Sequence, residues 1–288
     1  MPVPSLLAFA LAVLLASAAH AEPPVGGNSD LETIEVEGSA TAERRAILDF
    51  VQTLTRRDAD GLSTWEIPMC LSVTADVPEE GEYVRRRLLE RAAEAKVPVA
   101  KKANCKPNLF VVLTADSEKF IEAWKKRDPG MFRWKPRVGV ARSTGLAAVR
   151  TWHTSLVNGS DGAAPIQGDG KPPRVTMVGG GSRIVAPVSE HIGAALVLVD
   201  TQAAQGATFA QMADYIAMAG FAIIDLEAGY PPNATILGLF APGRTEPAPT
   251  ALTEWDLEFL RALYGLDYEP LRPRRAVAGR MVRALAPR

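Results

Sequence analysis

The side chains able to do chemistry are few in this chain, and they are scattered. Past residue 21 only two histidines remain, His153 and His191. They fall in different expected elements, with no local partner at ligand spacing. A catalytic zinc site takes three protein ligands, commonly His-rich, so a metal reading needs both imidazoles and an acid such as Glu190 to converge. Isolated histidines on strands or turns are otherwise ordinary hydrogen-bonded residues. Neighbouring acids recur as Glu79/Glu80, Asp225/Glu227 and Glu254/Asp256. Glycoside hydrolysis needs two carboxylates facing each other across a cleft, but in a chain with 33 acids such pairs arise by chance. Asp225 and Glu227 stand out only because they follow the apolar run Phe221-Ala222-Ile223-Ile224. No G-x-S-x-G elbow occurs. Gly179-Gly180-Gly181-Ser182 lacks the Lys-Ser/Thr ending of a phosphate-binding loop and reads as a turn. Neither a cofactor nor a bound metal is expected.

Sulfur chemistry depends on the compartment. The first twenty-one residues carry no Lys, Arg, Asp or Glu; they run apolar from Leu6 to Leu15 and soften into Ala19-His20-Ala21. A short apolar run closed by a small-x-small triplet is a secretory signal pattern, with cleavage expected before Glu22. An uncleaved anchor is the alternative, although the run is shorter than the roughly 20 residues that span a bilayer. Export favours a disulfide between Cys70 and Cys105 over two free buried thiols. A secreted or periplasmic location follows.

Net charge is −1 with 23% charged residues, so no general attraction to nucleic acid is implied. Trp124, Phe132, Trp134, Lys135 and Arg137 mix aromatic and basic residues without a reader motif, and core packing explains them. After Leu271 come Arg272, Arg274, Arg275, Arg280, Arg283 and Arg288 with no acid. This end reads either as a basic helix resting on anionic lipid or as a solvated helix whose cations suit its C-terminal dipole.

The elements that must position these residues alternate between helix and strand. A lead-in over 22–40 includes a possible strand at Ile34–Val36, and Thr41–Leu54 has helical periodicity. A strand is predicted over Thr64–Val73, with Pro68 as an irregularity, then a charged helix over Gly81–Lys96. Asn108–Thr114 reads as a buried strand and Ser117–Arg127 as a helix. A parallel strand pair is expected in this stretch. Ala148–Val157 alternates as a strand, 158–172 reads as a surface loop, and Arg174–Val178, Ser182–Pro187 and Ala194–Val199 read as a meander of short strands. Thr208 and Gln211 form a capping-box pair opening a helix that Gly220 is expected to close. Pro231-Pro232-Asn233 is a turn, and further helices are expected over Thr253–Tyr264 and Arg274–Leu285. The expected organisation is a signal peptide over 1–21, a flexible lead-in over 22–40, and one mixed-sheet α/β (α+β) domain over 41–288.

Thr208–Asp225, followed by Leu252-Thr253-Glu254-Trp255-Asp256-Leu257-Glu258-Phe259-Leu260-Arg261-Ala262-Leu263-Tyr264, resembles a poorly characterised group of secreted bacterial proteins. These end in a T-x-W-D-x-x-F-L-x-A-L-Y helix and are distantly zincin-like. Relatives of that kind carry an H-E-x-x-H helix before an L-G-L turn. Laying Gly220 on the turn glycine places Ala213 and Ala217 where the two histidines would stand, and Asp214 where the glutamate would stand. The resemblance implies a zincin-like scaffold without its catalytic centre, since alanine has no lone pair to give a metal. The leading expectation is therefore an exported, non-catalytic binding or structural protein with an unknown protein or envelope partner. The alternatives are an extracytoplasmic hydrolase using Asp214, Asp225, Glu227 or His153 with His191, and a membrane-surface adaptor working through the C-terminal arginines.

Overall fold

The computed structural model describes residues 29–55, 62–102, 104–127, 148–159, 166–168, 171–174, 188–230, 234–245, 247–266 and 273–286. Their side chains are described from Thr41 onward, those of 155 and 157–190 excepted. The expected signal segment, Gly179–Ser182, the strands placed in 175–187, Phe132–Arg137, the Pro231 turn and Arg272 lie outside the described residues. The chain divides into two units, Met1–Thr41 and Ala42–Arg288.

The first helix, α1, runs Ser29–Leu54, so it begins inside the stretch read as a lead-in and replaces the strand placed at Ile34–Val36. β-Branched residues suggested that strand, but extending an existing helix fixes one residue per added hydrogen bond, whereas a new element must be nucleated. In the larger unit α1 buries Ile47, Phe50, Val51 and Leu54.

A four-stranded sheet forms the centre of that unit. β1 (Leu71–Ala75) leads through α2 (Pro78–Glu94) to β2 (Leu109–Thr114), and α3 (Ser117–Arg127) follows. Next come β3 (Val149–Gly159), the small pair β4 (Ile166–Gly168) and β5 (Lys171–Arg174), and β6 (Val188–Asp200). The order is β1-β2-β6-β3, with β1, β2 and β6 parallel and β3 antiparallel at the edge. This is a mixed α+β sheet, as the alternation of elements predicts.

Three boundaries differ from the sequence reading. Residues 64–70 make only isolated bridges at Thr64 and Met69, and the strand begins at Leu71, past the Pro68 that cannot donate to a ladder. The loop expected over 158–172 contains β4 and β5, which pair with each other. The short strand at Ala194–Val199 is the end of a 13-residue β6 that pairs with β3 along its length. The sequence shows an apolar run only from Ala194, whereas of the strands only β3 holds the earlier residues of β6 in the ladder.

The sheet has two covered faces. Leu109, Val111 and Leu113 of β2 are buried and in register with Ala195, Val197 and Val199 of β6, and these with His153, Thr151 and Val149 of β3. Against this face lie α2 and α4 (Phe209–Phe221), where Gly220 meets Leu109 and Val197. On the other face Trp124 of α3 packs edge-on against Trp152, ring centroids 5.3 Å apart, and Arg150 pairs with Glu118. A 3-10 helix at Ile236–Phe240 and helices α5 (Glu254–Tyr264) and α6 (Pro273–Leu285) complete the unit.

Candidate functional site: the buried helix α4

Every residue of α4 from Met212 to Phe221 is buried. Its start is fixed by the capping box seen in the sequence. Thr208 Oγ1 accepts from the Gln211 N–H at 3.1 Å, and Gln211 Oε1 accepts from the Thr208 N–H at 3.0 Å. Gln211 Nε2 also donates to the Pro249 carbonyl at 2.9 Å, which ties the approach to α5 onto α4.

Asp214 is fully buried, and its carboxylate is fully engaged. Arg87 donates to both oxygens at 2.8 Å, Arg91 donates to Oδ1 at 3.0 Å, and the Leu252 N–H donates to Oδ2 at 2.8 Å. The fork-on-fork geometry of Arg87 is the strong form of a carboxylate pair. Ala213 and Ala217, also fully buried, present methyl groups to the core. The residues that a zincin helix would need for a metal are thus two methyls and an acid spent on arginines. They do not fit a metal. Among the described residues no group of three or more His, Cys, Asp and Glu is placed to hold a metal ion.

The C-terminal end of α4 is closed by side chains from distant segments, which supply the donors that the last carbonyls of a helix lack. Trp65 Nε1 donates to the Gly220 carbonyl at 3.0 Å, and the Tyr264 hydroxyl donates to the Phe221 carbonyl at 2.5 Å. Gly220 is interior and does not end the helix as the sequence suggested; the chain leaves through Ala222 in extended backbone at φ −138°. A β-carbon at this position would meet Leu109 and Val197 at 3.4 and 3.5 Å, ordinary contact, so the packing here does not require glycine.

The remaining candidates do not assemble with Asp214. Asp225 and Glu227 share a turn past the helix, where Asp225 Oδ1 accepts from the Glu227 N–H at 3.1 Å. The seven residue steps from Asp214 to Phe221 alone span about 10 Å of helix axis. His153 is buried against α4, and neither ring nitrogen makes a well-formed hydrogen bond. Burial lowers its pKa to about 4, with the Ala219 carbonyl pulling weakly the other way. His191 pairs with Glu66 at 3.4 Å. In the β3–β6 register His153 lies opposite Ala195 and His191 opposite Leu156. Positions 153 and 156 differ by an odd number along β3, so the two imidazoles occupy opposite faces of the sheet.

Cys70 and Cys105 form the expected disulfide, with their α-carbons 6.0 Å apart. In α6, Val277, Ala278 and Met281 are buried, and Arg280 lies over Gly265. The apolar side of the arginine-rich helix therefore faces the core, and Arg275 and Arg283 are exposed while Arg274 is half-buried.

Sequence reasoning gave Arg87, Arg91, Trp65 and Tyr264 no part in this site. It also passed over Asp256 as one of several chance acid pairs, yet this acid is fully buried and accepts from Ile236 N–H at 2.8 Å, Thr253 N–H at 2.9 Å and the Thr235 hydroxyl. Burial pushes its carboxyl upward against the pull of those donors. The detectable signal was the second capping box, Thr253 with Asp256. Compared with protein-family models, with curated proteins and with solved structures, the chain finds no match.

Proposed function

We propose that this chain is an exported, non-catalytic binding or structural protein on a zincin-like scaffold. The observation that carries the reading is the state of Asp214. The acid standing where the resemblance puts a general base is fully buried, accepts four hydrogen bonds, and has fully buried alanines at 213 and 217. A general base must reach a reacting proton directly or through one water, and a carboxylate with its lone pairs so occupied is a structural anchor. The order of elements supports the scaffold assignment: parallel strands with one antiparallel edge strand, then α4 directly after β6. Export is supported by the Cys70–Cys105 bridge and the apolar run at residues 6–15.

The hydrolase alternative has no comparable support. His153 and His191 face apart, and Asp225 and Glu227 lie beyond the far end of α4 from Asp214.

The test is metal analysis of the purified chain after exposure to excess zinc and desalting, together with amino-terminal sequencing of protein recovered from outside the cytosol. Far less than one zinc per chain and a start at Glu22 are expected. One tightly held zinc per chain, or peptide hydrolysis lost in Asp214→Asn without loss of folding, overturns the non-catalytic reading.

A further inference from the structure

Among the described residues five large apolar side chains are exposed, two of them, Val77 past the end of β1 and Phe209 at the start of α4, away from the other three. Ile67, Phe110 and Leu156 are 51%, 42% and 41% exposed, and all three lie toward the end of the sheet from which the parallel strands start. Phe110 is the second residue of β2, in register with Ser72 and Leu196. It alternates with the buried Leu109 and Val111, so it points away from α4. Leu156 pairs with His191, and the other side of His191 is bridged by Thr64, three residues before Ile67.

Positive charge from two segments distant in sequence gathers at the same end. Trp124 meets Trp152, which pairs with Leu196 at the level of Phe110. The last turn of α3, with Lys125, Lys126 and Arg127, therefore ends where β2 begins. The second segment is the loop between α2 and β2. It leaves the edge of β1, where the Ala100 N–H donates to the Met69 carbonyl at 2.9 Å, and is fastened by Cys105 to Cys70. The bridge and this hydrogen bond hold the loop against the residues that lead into β1, at the end of the sheet where β2 begins. The loop carries Lys101, Lys102 and Lys106, all exposed. Among the described residues Glu122 on α3 and Glu66 beside His191 bring negative charge to this end.

We propose that this end of the molecule docks on an anionic lipid bilayer. A lipid surface offers phosphates to amines and an acyl boundary to exposed apolar side chains, and amphipathic surfaces bind it through both. A nucleic acid or other polyanion engages the cations but gains nothing from Ile67 and Leu156. The arginine-rich α6 is a poorer candidate, since its apolar residues are already buried. The proposal does not depend on whether α4 is catalytically silent.

The full chain is sedimented with vesicles of phosphatidylcholine, alone or with one lipid in three replaced by phosphatidylglycerol. Binding to the neutral vesicles measures any contribution of the amino-terminal apolar run and is subtracted. The expected result is about tenfold or more preference for the anionic vesicles, weakening with salt. Lys101→Glu/Lys102→Glu/Lys106→Glu loses most of that preference, and Phe110→Ser loses several-fold. These side chains are exposed, and unchanged circular dichroism and melting show that the variants fold. Equal binding to both vesicle types overturns the proposal, as does an unaffected triple variant or a loss produced instead by Arg275→Glu/Arg283→Glu. A short DNA duplex bound as tightly as the vesicles, with Phe110→Ser indifferent, also overturns it and makes the surface a general polyanion site.

Discussion

Arg87 on α2 and Asp214 on α4 meet through two parallel hydrogen bonds of 2.8 Å each. The pair joins the first crossover helix of the sheet to the helix after its last strand, 127 residues apart. Arg91 and the Leu252 N–H complete the shell of the same carboxylate, so one buried acid fastens α2, α4 and the approach to α5.

Removing that acid should be costly, because Arg87 then loses its carboxylate in a mostly buried place and Arg91 keeps only Glu94. Asp214→Ala is expected to lower stability by about 3 kcal/mol or more. Arg87→Ala leaves Arg91 and Leu252 in position and should cost about 1–2 kcal/mol less. The double variant should cost less than the sum of the two. Urea denaturation of the three proteins measures this coupling. Strict additivity would mean that the pair contributes nothing beyond its separate surroundings.

The disulfide closes a loop between residues 35 apart in sequence. Restricting the unfolded chain over such a loop contributes about 3–4 kcal/mol in the chain-entropy view. Cys105→Ser, or reduction, should lower the denaturation midpoint accordingly. It should leave the start of α4 intact, since Thr208 and Gln211 hold it through their own capping box. A loss of less than about 1 kcal/mol would indicate that the unfolded state keeps this loop closed without the bridge.

How much of this was legible beforehand follows the range of each signal. The capping boxes at Thr208 and Thr253 were readable because a cap and its partner are three residues apart. β2 was readable as a strand from its continuous apolar run, although only Leu109, Val111 and Leu113 are buried and Phe110 is exposed, and α3 was readable from its periodicity. The partners of Asp214 were not, because a carboxylate on an apolar helix looks the same whether it is meant for a substrate or for an arginine 127 residues away. Trp65 was read as part of a strand, and nothing local reveals that its indole closes a helix 155 residues on. Only the Ala194–Val199 end of the 13-residue β6 was read as a strand, because Ser189-Glu190-His191 and Gly193 break the apolar run before it.

Protons should act on the fold mainly through His153. Its pKa is lowered to about 4 by burial, from an ordinary value of 6.5. Between those values the unfolded chain binds the proton and the folded chain does not, so stability rises with pH across that window. The contribution is complete above about pH 6.5 and is lost as pH falls through 4. It amounts to about 3 kcal/mol at 1.36 kcal/mol per pH unit. Denaturation midpoints between pH 4 and 7 should be markedly flatter in His153→Leu than in the parent. An unchanged slope would place the titrating group elsewhere.

Gly220 allows the architecture of α4 to be tested with one methyl group. A glycine that ended the helix in left-handed backbone would resist substitution, since a β-carbon there costs roughly 1–2 kcal/mol. In this structure it is an interior helical residue whose carbonyl accepts from Trp65. An added β-carbon would meet Leu109 Cδ1 at 3.4 Å and Val197 Cγ2 at 3.5 Å, which is ordinary contact. Alanine is favoured over glycine inside a helix by about 0.5–1 kcal/mol. Gly220→Ala is therefore expected to stabilise the protein by about that amount and to raise the melting temperature by about 1–4 °C. Trp65→Phe should act in the opposite direction, because it leaves the Gly220 carbonyl buried without its donor at a cost of about 1–3 kcal/mol. Thermal denaturation of both variants decides the matter: if Gly220→Ala destabilises by a kilocalorie or more, the helix ends at this glycine and the Trp65 closure is misplaced.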